Sequence, residues 1–124
     1  GKTTLARAFA RIATAPIDSP EGRCSAAMRG HPELVGGTGH HATRLMSGVA
    51  GLIAKDGAEG VYAVGIAEGI GAAVKIDDGA DRARLPVLIA ALRRSGVDCD
   101  VFSQFAASVV KGHGEPVGDV HASF

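Results

Sequence analysis

Three groups of residues could do chemistry. The first is Gly1-Lys2-Thr3-Thr4, which matches the close of a phosphate loop, G-x-x-x-x-G-K-[ST], where backbone N–H groups cradle phosphates at a helix start. Its first glycine would precede Gly1. An ATPase built on it should next supply a second strand and an acidic Walker-B strand. The only apolar-then-Asp pairs, Val97-Asp98 and Cys99-Asp100, follow too short a run for a buried strand. The competing reading is a helix whose start Thr3 or Thr4 caps, with Lys2 beside it. The second group is His31, His40 and His41. A metal site needs ligands at set spacings on one face, and adjacent histidines in a strand or loop point apart. These three therefore read as surface or turn histidines, and no metal ligand is assigned.

The third group is Lys55-Asp56-Gly57-Ala58, at the end of an apolar run. Serine β-lactamases and penicillin-binding proteins carry a K-T-G triplet at such a strand end. There a Lys ammonium meets an anionic substrate group, the Gly admits substrate close to the backbone, and the next N–H faces a developing oxyanion. On that pattern Lys55 and the backbone N–H of Ala58 are the catalytic candidates, and Asp56 and Gly57 line the substrate. Asp56 stands where those enzymes have Thr or Ser, so the triplet also reads as a plain hairpin turn.

Longer stretches favour the catalytic reading. ARAFARIA, MRGHPELVGGTG, KDGAEGVYAVGIAEGIGAAVKIDDGADRAR and the tail KGHGEPVGDVHASF together resemble the bacterial asparaginase II family. The resemblance spans nearly the whole chain, and Lys55 to Arg84 is its most specific part. It implies hydrolysis of L-asparagine to L-aspartate and ammonia, in a fold similar to the serine β-lactamases. It also implies that a Ser-x-x-Lys pair, a second serine and a zinc site of cysteines and a lysine belong to upstream segments. Residues 1–124 are then the carboxy-terminal part of a single domain, inactive alone and without a cofactor of their own, with Lys55 the partner of the second serine. The sequence departs from the family at His40-His41-Ala42, where Arg and an aromatic or small polar residue are expected, and at Gly1-Lys2. A phosphate-loop ATPase fragment and a non-catalytic binding module of the same fold remain as alternatives.

The remaining bulk properties narrow the partners. Thirteen basic and thirteen acidic residues cancel, with no run of one sign, which gives no electrostatic footprint for nucleic acid or an anionic membrane. Aromatics are sparse, so no base-stacking platform is expected. Cys24 and Cys99 are too far apart for a C-x-x-C pair and read as free thiols of a reducing cytosol. No apolar run approaches the roughly 18 residues of a spanning helix. A small-molecule substrate and a homodimer are the expected partners.

These residues need elements to position them. Leu5, Phe9 and Ile12 predict a helix over 3–14, ended by Pro16, Pro20 and Gly22. A short helix fits 22–30, His31-Pro32 predicts an extended turn, Gly36 to Gly39 a loop, and 41–48 a third helix. The spacing then shortens. Runs near 51–55, 60–67 and 70–77, joined by Gly-containing turns, predict three antiparallel strands in a meander. A helix follows over 80–94, capped by Asp77 or Asp78, kinked or restarted at Pro86 and stopped at Gly96. A last helix is expected over 100–111, and a loop from Gly112. The fold class is α+β, an antiparallel sheet meander flanked by helices.

Overall fold

The computed structural model describes residues 1–124. Helices α1 (Lys2–Thr14), α2 (Pro20–Gly30), α3 (Pro32–Gly36) and α4 (His41–Gly48) lead into strands β1 (Leu52–Asp56), β2 (Val61–Ile66) and β3 (Ile70–Lys75). A 3₁₀ turn (Asp81–Ala83), α5 (Arg84–Arg94), a second 3₁₀ turn (Asp100–Gln104), and strands β4 (Ala107–Gly112) and β5 (Glu115–His121) complete the chain. The α+β class and the meander agree with the sequence: β1, β2 and β3 form one antiparallel sheet in that order.

The register decides what each face of this sheet does. Leu52, Ile66 and Ile70 align across the strands, as do Ala54, Val64 and Ala72, and then Asp56, Tyr62 and Val74. This face meets Leu45 and Met46 of α4, Leu88, Ile89 and Leu92 of α5, and Phe102, in one buried core. The other face carries Ile53, Lys55, Ala63, Gly65, Gly71 and Ala73, and α1 lies across β2 and β3 there. Covered on both sides, β2 is buried almost throughout, so its VYAVGI has no polar alternation. Each fully buried leucine or isoleucine contributes about 1.5–3 kcal/mol, so the α4/α5 face dominates stability.

The helix α1 approaches the sheet backbone to backbone. Gly65 and Gly71 lie opposite each other on β2 and β3, and a Cβ on either would sit 2.2 Å from the Phe9 carbonyl oxygen or 2.1 Å from that of Ala6. The glycine pair is a notch that receives the helix.

Several local expectations are corrected. Gly1 occupies the cap position of α1 with no side-chain cap, and Thr3 and Thr4 lie inside the helix. Pro20 and Pro32 do not merely interrupt. Each opens a helix at its first position, where the missing N–H is not needed, and the Ser19 hydroxyl accepts from Gly22 N–H at 3.0 Å. His31-Pro32 is thus a helix entry, not an extended turn. Arg29 ties α2 to the rest by donating to the carbonyls of Ala13 and Gly51, both at 2.8 Å.

The helix expected over 80–94 begins at Arg84, after the 3₁₀ turn, so Pro86 falls in its first turn and breaks nothing. Ala83 takes the cap position, and Asp78 instead accepts from Ala80 N–H at 2.9 Å, in the preceding turn.

The largest difference is at the carboxy-terminal end. Residues 100–111 are not one helix and the tail is not a loop. A 3₁₀ turn closes over Phe102, and β4 and β5 form a hairpin through His113-Gly114. Both turn residues have positive φ, 51° and 86°, the geometry of a type I′ hairpin turn. The spacing of Val101, Phe105 and Val109 mimicked a helix, but the β-branched pair Val109-Val110 and the two-residue turn favour a hairpin.

Candidate functional site

Lys55 is the penultimate residue of β1, an edge strand, and it points to the α1 face. Its ammonium donates to the Asp56 carbonyl at 2.8 Å and to Asp56 Oδ1 at 2.9 Å. Half of the side chain remains exposed. A groove of about 170 Å³ runs beside it, walled by Leu5 and Phe9 of α1 and by Val61 and Ala63 of β2.

Gly57 leaves the strand by donating its N–H to the Val61 carbonyl at 3.0 Å. Ala58 is exposed, and its N–H donates no hydrogen bond within the chain. Glu59 and Gly60, with φ of 58° and 75°, then turn the chain into β2. The pattern Lys-Asp-Gly-Ala is therefore both a strand end and a turn, with one free N–H at the apex.

Strand alternation sends the Asp56 carboxylate to the opposite face, beside Tyr62. Its Oδ2 lies 3.8 Å from Arg84 Nη1 and 3.9 Å from His40 Nε2. Partial burial acts to raise the Asp56 pKa. The hydrogen bond and charge of Lys55, a backbone hydrogen bond and nearby His40 outweigh it and hold the carboxyl below its ordinary range.

Arg84 is almost wholly buried at the start of α5. It donates to the carbonyls of Gly57 (3.2 Å) and Val61 (3.4 Å), lies 3.1 Å from Asp81 Oδ1, and sits over the Tyr62 ring. Its Nε has no partner. Arg84 thus clamps both ends of the turn that carries Gly57 and Ala58. The sequence analysis did not single out Arg84 or Tyr62. The available signals were the alternation that turns Tyr62 inward and an Arg three residues after an Asp at a helix start.

The histidines are also placed differently from expectation. His40 holds the cap of α4 in extended conformation, and its Nδ1 accepts from Ala42 N–H at 3.3 Å. His41 is the first helical residue. The change of backbone conformation between them brings the rings together, with centroids 3.7 Å apart, where alternation in a strand would part them. His41 Nδ1 lies 2.9 Å from the buried Tyr62 hydroxyl. His31 stays apart, exposed and 3.9 Å from Glu33.

Burial, then the charge of His40, pushes the His41 pKa down to about 4, against the pull of Asp56. Burial likewise pushes the Tyr62 pKa up. Because the folded His41 pKa lies below its unfolded value of 6.5, the unfolded chain takes up the proton first. The stability contributed by neutral His41 is complete above pH 6.5 and is lost as pH falls toward 4. The melting temperature should fall between pH 7 and pH 5, before carboxylates titrate, and His41→Gln should flatten that slope. Equal slopes for both proteins in thermal melts would refute the assignment.

The other sequence candidates carry less. Gly1 to Thr4 open α1, which packs on an antiparallel sheet with no parallel strand to form a phosphate-loop unit. The spacing Ser-x-x-Lys does occur at Ser108 and Lys111, but on strand β4, where residues three apart point to opposite faces. Cys24 and Cys99 are both free, on α2 and just before the second 3₁₀ turn. Neither belongs to the one group of three or more His, Cys, Asp or Glu side chains that the fold brings together, His40, His41 and Asp56.

No helix is long and apolar enough to cross a membrane. Compared with known proteins, the chain matches the sequence model described as L-asparaginase II over residues 3–122. None of the curated proteins matches it.

Proposed function

The chain belongs to the L-asparaginase II family, and from that premise we propose that the protein it comes from is an amidohydrolase that converts L-asparagine and water to L-aspartate and ammonia. The observation that carries this reading is the family match together with the exposed Lys55 ammonium at the end of an edge strand, one turn from a free Ala58 N–H.

In this scheme a serine outside residues 1–124 attacks the side-chain amide carbon. The amide oxygen gains charge, ammonia leaves with a proton from the site, and water then hydrolyses the acyl-serine ester to release aspartate. Lys55 supplies a fixed positive charge next to the serine cluster, favouring ionised serine or holding the substrate carboxylate. Asp56 orients that ammonium, and Arg84 fixes the turn so that the Ala58 N–H can meet the oxyanion. Gly57 lets substrate pass close to the strand. The groove beside Lys55, about 170 Å³, is smaller than the roughly 300 Å³ of a complete ligand pocket, in keeping with walls supplied by another part of the protein. A serine β-lactamase-like whole and a homodimer fit the same reading.

The test compares residues 1–124 alone with the protein extended to include a Ser-x-x-Lys segment. Ammonia release from L-asparagine should be absent in the first and present in the second. Release by residues 1–124 alone, or none from a folded extended protein, would overturn the proposal.

A further inference from the structure

His40 and His41 have no role in the amide chemistry above, and of Asp56 that chemistry uses only Oδ1, the oxygen that holds the Lys55 ammonium. His40, His41 and Asp56 each present one ligand atom on the far side of β1 from the Lys55 groove, and these atoms all lie within 4.8 Å of one another. From this geometry we infer that His40, His41 and Asp56 form a binding site for a late first-row divalent cation of the Zn²⁺ or Co²⁺ kind.

The donor set is two imidazoles and a carboxylate, which suits such ions and leaves a fourth position for water. Two donors each about 2.0–2.1 Å from one ion can be at most about 4.2 Å apart. The 3.9 Å between His40 Nε2 and Asp56 Oδ2 is within that reach, and closing the three ligand atoms, now within 4.8 Å of one another, to the roughly 3.4 Å of a tetrahedral pair takes a movement of about an ångström.

The Asp56 oxygens are divided. Oδ1 is held by Lys55 at 2.9 Å, whereas Oδ2 has no partner closer than 3.8 Å, so its lone pairs face the histidines without a hydrogen bond. The Arg84 guanidinium lies 3.8 Å from Oδ2 but makes its hydrogen bonds to the Gly57 and Val61 carbonyls and pairs with Asp81, not with Oδ2.

The outer partners are also present. Tyr62 Oη, 2.9 Å from His41 Nδ1, can accept that proton, which orients the ring and frees the Nε2 lone pair. Coordination through His40 Nε2 shifts its proton to Nδ1 and gives up the Ala42 cap contact, which at 3.3 Å is long.

The experiment is a Co²⁺ titration of the chelator-treated chain, folded as judged by circular dichroism, followed by Zn²⁺ competition and thermal melts. One Co²⁺ per chain should bind, giving the visible bands of nitrogen–oxygen coordination without thiolate absorption, and Zn²⁺ should displace it and raise the melting temperature. His40→Ala, His41→Ala and Asp56→Asn should each weaken binding at least roughly tenfold. Tyr62→Phe, which keeps the ring packed, should weaken it about 10- to 100-fold. His31→Ala and the double Cys24→Ser, Cys99→Ser variant should bind as the parent does. If His41→Ala unfolds, the rim residue His40 and the Tyr62→Phe variant decide. Undiminished binding in His40→Ala, loss of binding in the cysteine variant, or no saturable binding below about 100 µM Co²⁺ would overturn the site.

Discussion

On the proposed function, Lys55→Ala in a protein extended to include a Ser-x-x-Lys segment should lower kcat for L-asparagine by roughly 10²–10³ while leaving the melting temperature close to that of the parent. The effect follows from where the ammonium sits. It is fixed by two hydrogen bonds to Asp56, at 2.8 and 2.9 Å, so no reorganisation is needed when charge develops on the substrate. Removing one such preorganised electrostatic donor costs about 3–4 kcal/mol in the chemical step. Stability should change little, because the side chain is half exposed and its hydrogen bonds are to its own neighbour.

Lys55→Arg should restore little activity, since the planar guanidinium is larger and holds its proton too firmly to share it. Lys2→Ala should leave turnover unchanged, whereas a phosphate-loop ATPase would fail without that lysine. Steady-state ammonia release by the three variants, with melts alongside, separates the readings. Near-parental turnover by Lys55→Ala would reduce Lys55 to a turn residue.

The second large effect concerns the seat of α1. Gly71→Ala should destabilise the chain by about 3 kcal/mol or more and lower its melting temperature by roughly 10 °C or more. The added Cβ would lie 2.1 Å from the Ala6 carbonyl oxygen, and backbone cannot step aside as a side chain can. The helix must lift from β2 and β3, opening a void under Leu5 and Phe9, which also wall the groove at Lys55. Gly65→Ala should behave similarly, at 2.2 Å from the Phe9 oxygen. Because the two glycines share one helix contact, the double variant should cost less than the two separate losses combined. Gly30→Ala is the control: nothing lies within 4 Å of its Cβ position, so its melt should match or slightly exceed the parent's. A Gly71→Ala melt indistinguishable from that of Gly30→Ala would show that α1 does not need the notch.

Much of the scaffold was legible without coordinates. Leu5, Phe9 and Ile12 announced α1, and Leu85, Leu88, Ile89 and Leu92 announced α5, because a 3.6-residue period survives any arrangement of neighbours. The three strands were marked by β-rich runs between glycine turns, and the resemblance to the family, read over nearly the whole chain, agrees with the match over residues 3–122. Local patterns misled where two structures share one spacing. Val101, Phe105 and Val109 fit a helix by position, yet two adjacent β-branched residues and the left-handed His113-Gly114 pair commit the segment to a hairpin.

The amino-acid sequence by itself determined the helix stripes, the meander, the family and the position of Lys55 at a strand end. Those depend on neighbours along the chain, and a period of 2 or 3.6 residues encodes them directly. Only the tertiary structure decided what the two faces of β1 meet, α1 and its groove on the Lys55 side and Tyr62, Arg84 and the histidines on the Asp56 side. It also decided that Arg84, 27 residues beyond Gly57, clamps the turn, and that His40 and His41 converge on Asp56. Each of these depends on strand register and on a change of backbone conformation at a helix entry. Those are settled by packing between segments distant in sequence, where no local spacing can record them.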